Sequence, residues 1–300
     1  MQFSLILNEL TKRFGQVLAV DSISATIPTG SIYGFLGPNG AGKTTTIRMI
    51  MSILYPDSGS IQVLGSHNPE AVKDRLGYLP EEKGLYKKMR VAELVTYFGR
   101  LKGLDRRTAY GRAVSLLTQF ELADWADKKC DTLSKGMGQK VQIIATLIHQ
   151  PDLVILDEPF AGLDPINVEV VREVILRLKR EGRTVIFSTH VMEQAEQICD
   201  CILLINKGRK ILDGPLAQVK NTGRQTITID YEGDGTVFNA LPHVTRVNDM
   251  GKRAELSLAE EADPQLILQM LSTKLTIRRF DLKEPSLHEI FVGSVRESAL

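Results

Sequence analysis

The run "SIYGFLGPNGAGKTTTIRMI" (31–50) leaves this chain few folds to choose from. A short apolar strand pattern ends in glycine, and "KTTTIRMIMSIL" then has the apolar spacing of a helix. Between them, "GPNGAGKTT" matches G-x-x-x-x-G-K-[ST], with Gly37, Gly40 and Gly42 leaving the backbone free to turn its N–H groups onto an anion. A strand that feeds a helix through a phosphate cradle belongs to an α/β architecture with a largely parallel sheet.

The rest of the first two thirds agrees. "DLVILDEP" and "RTVIFSTH" are continuous apolar runs, as in strands buried on both faces, and "INVEVVREVILRLKREG" between them reads as an amphipathic helix with a glycine stop. "FSLILNEL" and "SISATIP" read as strands near the start, and about Val91 to Asp131 reads as a helical insertion. Near Lys220 the texture changes to strand, helix, strand, strand, helix, strand, helix, a βαββαβ order with one extra helix. The expected domains are therefore 1–219 and 220–300.

Residue chemistry adds candidates. Lys43 can reach terminal phosphates as a point charge, and the Thr44 hydroxyl can hold Mg²⁺. Asp157 and Glu158 end a buried strand; they read either as a solvated acidic turn or as a metal ligand beside a water-polarising base. His190 ends another such strand, at the sheet edge where ligands gather, whereas His67, His149, His243 and His288 read as ordinary satisfied histidines. "TLSKGMGQ" is a second helix mouth suited to an anion. A net charge of +1 argues against a polyanionic partner such as nucleic acid, and three cysteines without CxxC spacing argue against a disulfide framework and for a reducing cytosol. No apolar run approaches the ~18–20 residues needed to cross a bilayer, and the start, with Glu9 among its apolar residues, is not expected to be a cleaved leader.

Taken together, "GPNGAGKTT", "LSKGM", "VILDEP", "AGLD" and "STH", in this order, closely resemble the nucleotide-binding subunit of an ATP-binding cassette (ABC) transporter over roughly the first 215 residues. The resemblance implies a P-loop NTPase cassette with a mixed sheet core, an antiparallel β subdomain and a helical insertion, followed by a small ferredoxin-like α+β domain. It implies that ATP is held by Phe14, Gly37, Pro38, Asn39, Gly40, Ala41, Gly42, Lys43, Thr44 and Thr45, with Phe14 stacking on adenine unless it is an ordinary core phenylalanine. It implies Mg²⁺ on Thr44 and Asp157, and hydrolysis through Glu158, His190 and Lys43. Two cassettes would close head to tail, Ser134, Lys135 and Gly136 of one facing the nucleotide of the other, with Asp164 in the loop crossing the interface.

Two departures stand out. The family's usual Leu-Ser-Gly-Gly-Gln is here Leu133-Ser134-Lys135-Gly136-Met137, and Glu81 in "YLPEEKGLY" replaces the usual glutamine and is expected to be linked to the metal. "LPEEKGLY" and the appended domain resemble cassettes that energise exporter-type permeases, of the sodium-extrusion and multidrug-like kind. The expected partners are thus an integral-membrane permease, docked through the insertion and the loop around Leu85 and Tyr86, and a second copy or a paralogue. The location expected is the cytoplasmic face of the membrane. The alternative is a soluble cassette ATPase without transport; nucleic-acid work would predict a basic stripe, and the cassette is nearly neutral.

Overall fold

The computed structural model describes residues 2–81, 84–221, 225–259 and 261–297; Glu82 and Lys83 of "LPEEKGLY" lie outside the described residues. The chain forms two compact units, Met1–Gly214 and Pro215–Leu300.

The first unit runs β1 (Phe3–Phe14), β2 (Val17–Pro28), β3 (Ile32–Leu36), α1 (Lys43–Ile50), β4 (Ser58–Val63) and β5 (Leu76–Leu79). The helical insertion follows as α2 (Val91–Leu101) and α3 (Arg106–Gln119). Then come α4 (Lys135–Leu147), β6 (Leu153–Asp157), α5 (Pro165–Arg180), β7 (Thr184–Thr189), α6 (Met192–Ile198), β8 (Cys201–Asn206) and β9 (Arg209–Pro215). Strands β3, β6 and β7 are buried along their whole length, which is why their centres show apolar residues without alternation. They sit inside a six-stranded sheet of order β5-β6-β7-β3-β8-β9, with β5 to β8 pairing in parallel around β3. This topology brings the loops after β3, β6 and β7 to one edge. A separate antiparallel sheet, β2-β1-β4, completes the unit.

Local signals account for the helices that flank the site. Helix α5 buries Val171, Val174, Ile175 and Leu178, the three- and four-residue spacing of one face, and begins with Pro165 behind an Asp164 cap. Helix α4 begins behind Ser134. One element is shorter than its pattern. The apolar spacing of "KTTTIRMIMSIL" continues to Leu54, yet α1 stops at Ile50. Ser52 takes a left-handed conformation (φ 54°), and the amides of Ile53 and Leu54 both turn back to the Arg48 carbonyl. Closing the helix end outweighs the periodicity.

The second unit contains α7 (Leu216–Asn221), β10 (Thr226–Glu232), β11 (Val244–Asp249), β12 (Arg253–Leu258), α8 (Pro264–Ser272), β13 (Thr276–Lys283) and α9 (Leu287–Glu297). The segment "GTVFNA" is a 3₁₀ turn capped by Asp234. Its four strands are antiparallel in the order β11-β12-β10-β13, the ferredoxin-like arrangement. Ile227, Ile229 and Tyr231 alternate onto one face and pack with Phe238, Leu256 and Leu271.

Candidate active site

The loop from Gly37 to Gly42 is shaped by contacts that exclude side chains. A Cβ on Gly37 (φ 150°) would lie 2.1 Å from the Ile205 carbonyl oxygen, and one on Gly42 (φ 106°) would lie 2.5 Å from that of Ala19. Gly42 is also the N-cap of α1 and, having no side chain, gives that helix no side-chain cap, which suits its first N–H groups to an anion. The resulting cleft is lined by Ala19, residues 39–45, Glu81 and Glu158.

Lys43 is buried, its ammonium donating to the carbonyls of Gly37 (2.7 Å) and Pro38 (3.2 Å). Burial lowers its pKa, opposed by the charges of Glu158, Asp157 and Glu81. Its nearest carboxylate is Glu158, 3.7 Å away. Thr44 Oγ1 lies 3.3 Å from Asp157 Oδ1 and 3.4 Å from Glu81 Oε2. Asp157 is fully buried and its carboxyl is held above the usual carboxylate range by desolvation, partly offset by hydrogen bonds from Ser188 and Thr44. Among the described residues only its Oδ1 is bonded; Oδ2 is buried with no hydrogen-bond partner there. Tyr78, whose phenol is pushed up to about 12 by burial and then by the Asp157 charge, flanks this carboxylate.

Glu158 follows in a left-handed backbone conformation (φ 50°), uncommon for a residue with a side chain and often found at functional sites. Its Oε1 lies 3.0 Å from His190 Nδ1, so the two sequence candidates meet as a carboxylate–imidazole pair at the mouth of the cleft. The side chain of Glu158 is nearly buried, whereas that of His190 is 45% exposed and can meet an incoming group.

A second cluster forms around the start of α4. Ser134 Oγ accepts from the Met137 amide at 3.3 Å. The Lys135 side chain crosses directly over Gly162, so that a Cβ there would sit 2.2 Å from Nζ; Gly136 abuts Asn167. Asp164 accepts from the Asn167 amide (2.9 Å) and side chain (2.6 Å), bonds that lower its pKa. Ser134, Lys135, Gly136 and Asp164 are therefore gathered together, and none lines the Lys43 cleft. Phe14, at the end of β1, is 46% exposed with the Lys12 ammonium 5.7 Å from its ring centroid, so it is not a core residue. His149 bonds the Leu76 carbonyl through Nε2 at 3.0 Å, while its buried Nδ1 has no partner among the described residues, unlike the satisfied histidine expected.

Two residues of the site escape sequence reasoning. Ser188 donates to Asp157 Oδ1 and accepts from the Glu158 amide at 3.0 Å. Gln139, almost fully buried, donates to the Pro159 carbonyl at 2.9 Å and ties α4 to the segment after Glu158. The signal for Ser188 is a hydroxyl directly after the apolar run Val185–Phe187 in a strand buried along its whole length. Gln139 gives no such signal, because the family's glutamine is sought two positions earlier.

This arrangement offers donors and a cation for a polyphosphate, a buried carboxylate beside a hydroxyl, and a base at the mouth. Comparison with known proteins agrees. Residues 20–161 match the ABC transporter family, and residues 214–295 match the C-terminal domain of DrrA1-3-like ATP-binding proteins. An uncharacterized ABC transporter ATP-binding protein, YhaQ of Bacillus subtilis, is 40% identical over 97% of this chain and 98% of its own length. The Nod factor export ATP-binding protein I of Burkholderia lata is 38% identical over 94% and 93%. The solved ATP-binding subunit of an ABC transporter superposes with a TM-score of 0.67 at 29% identity, over 74% of this chain and 93% of that one. With the cradle, the carboxylate pair and near full-length relatives in agreement, this chain belongs to the ATP-binding subunits of ABC transporters.

Proposed function

We propose that this ATPase works as one half of a pair that closes on ATP and drives an exporter-type permease. The division of the chain's own groups carries the reading: the Lys43 cleft has the base and the cradle, whereas Ser134 and Asp164 lie in a cluster that does not line it. A helix mouth capped by Ser134 would then serve the nucleotide held by a second copy, with Asp164 in the loop between the two sites. Lys135, a cation at a helix start that the dipole disfavours, would gain an anion there.

Within the site, Lys43 exchanges the carbonyls of Gly37 and Pro38 for the terminal phosphates, and the open N–H groups of α1 take the remaining phosphate oxygens. Glu158 accepts the proton of the attacking water, and His190 holds its carboxylate in position through Nδ1 while its exposed ring faces the transferred phosphoryl group. Catalysis is mostly placement and charge stabilisation.

The donor set suits Mg²⁺ brought in with the nucleotide. Among the described residues Asp157 Oδ2 is buried without a partner, and the Thr44 hydroxyl lies beside the same carboxylate, with Glu81 nearby. Among the described residues no group of three or more His, Cys, Asp or Glu could hold a metal alone, which fits an ion that takes one or two carboxylates and completes its shell with phosphate and water. When bound, Mg²⁺ would neutralise charge on the β- and γ-phosphates.

No helix among the described residues is long and apolar enough to cross a membrane. We assign membrane attachment to the permease, at the cytoplasmic face. Export is supported by the Nod factor export relative. Residues 1–219 are assigned to the cassette and 220–300 to an accessory domain that adds dimer contacts or regulation.

The test is the oligomeric state of Glu158→Gln protein by light scattering. ATP with magnesium should convert monomer to dimer, and wild-type turnover per subunit should rise with protein concentration. A variant that stays monomeric with the nucleotide site saturated would overturn the pair.

A further inference from the structure

We propose that Ser188 is a positioning residue for ATP hydrolysis, its one hydroxyl holding the Asp157 carboxylate and the Glu158 backbone in a single geometry. The proposal rests on the roles given above to those two acidic residues.

The strands dictate the meeting. In the parallel pairing of β6 with β7, Asp157 stands opposite Ser188, so the two side chains share one face of the sheet at its functional edge. Ser188 is fully buried, and so is Asp157. The hydroxyl has one proton, and that proton goes to Asp157 Oδ1. One of its two lone pairs receives the Glu158 amide at 3.0 Å. Its single donor and one acceptor site are thereby spent on the two acidic residues of the site.

The consequences differ for the two partners. For Asp157, the bond to Oδ1 fixes the plane of the carboxylate beside the Thr44 hydroxyl, while among the described residues Oδ2 stays without a partner. For Glu158, the bonded amide anchors a residue whose left-handed backbone (φ 50°) is intrinsically unfavourable. Two residues further on, His190 reaches the Glu158 carboxylate. The end of β7 thus holds the base at its backbone through Ser188 and at its side chain through His190. A misplacement of about 1 Å in such a group can cost on the order of 10²-fold in rate.

The experiment uses the full chain with Ser188→Ala. Turnover is measured beside the affinity of a fluorescent ATP analogue, once in EDTA and once with magnesium. Expected is a fall in kcat of about fivefold or more, with affinity in EDTA unchanged and the gain in affinity on adding magnesium reduced. A smaller fall in kcat, or an equal loss of affinity in EDTA, overturns the proposal, since a merely structural role would disturb the whole cleft. If the alanine protein does not fold, Ser188→Cys, which keeps the volume but donates weakly, is read by the same criteria. Full activity in Asp157→Asn and Glu158→Gln would instead remove the reading on which the proposal stands.

Discussion

The glycines of the phosphate loop give a graded test of how tightly it is wedged before any nucleotide binds. Gly40 and Gly42 both have left-handed backbones, with φ of 77° and 106°. Their surroundings differ: a Cβ on Gly40 meets nothing within 4 Å, whereas one on Gly42 meets the Ala19 carbonyl oxygen at 2.5 Å. Gly40→Ala therefore carries only backbone strain, of about 1–2 kcal/mol, offset by the ~0.4–1 kcal/mol that alanine gains by restricting the unfolded chain. Gly42→Ala carries the same strain plus an overpacking cost of about 1–3 kcal/mol, because the obstacle is backbone. The net expectation is within ~1 kcal/mol for Gly40→Ala and about 3 kcal/mol for Gly42→Ala, and at ~2–4 °C per kcal/mol for a unit of this size the second variant should melt about 6–12 °C lower. Differential scanning calorimetry of nucleotide-free protein reads both. Equal melting temperatures for the two variants would refute the idea that the loop is pressed against β2 in the absence of ATP.

Other expectations follow from the same site. Gln139→Ala leaves the Pro159 carbonyl without its donor, a loss of about 1–3 kcal/mol that calorimetry should register as a lower melting temperature. Asp157→Asn should nearly abolish turnover yet stabilise the nucleotide- and metal-free protein at neutral pH. The Asp157 carboxyl is raised by burial, so its contribution favours folding below its unfolded pKa and is lost as pH rises through the folded one. The advantage of the variant in melting temperature should therefore shrink as the pH is lowered into the carboxylate range. An advantage that grows on acidification would contradict the assignment.

What the sequence makes legible here is whatever sits in one contiguous stretch. The loop from Gly37 to Thr45 declares itself because its spacing, preceding strand and following helix are all local. β6 and β7 are legible because burial on both faces erases alternation. The meeting of Asp157 with Ser188 is not, since it depends on which strands become neighbours and in what register. The early end of α1 is hidden for another reason: the left-handed turn at Ser52 uses a residue with no strong preference for it. Likewise, the sequence offers Lys135 as a cation facing a second copy's nucleotide, and only the fold reveals that it spans Gly162.

That last contact has a mechanical consequence. With Lys135 draped over Gly162 and Gly136 pressed on Asn167, the turn before α4 and the turn before α5 are latched into one clasp. These contacts join the two turns directly, with no strand of the central sheet between them. News of what happens at one helix mouth can thus reach the stretch leading back to Glu158 by a short route.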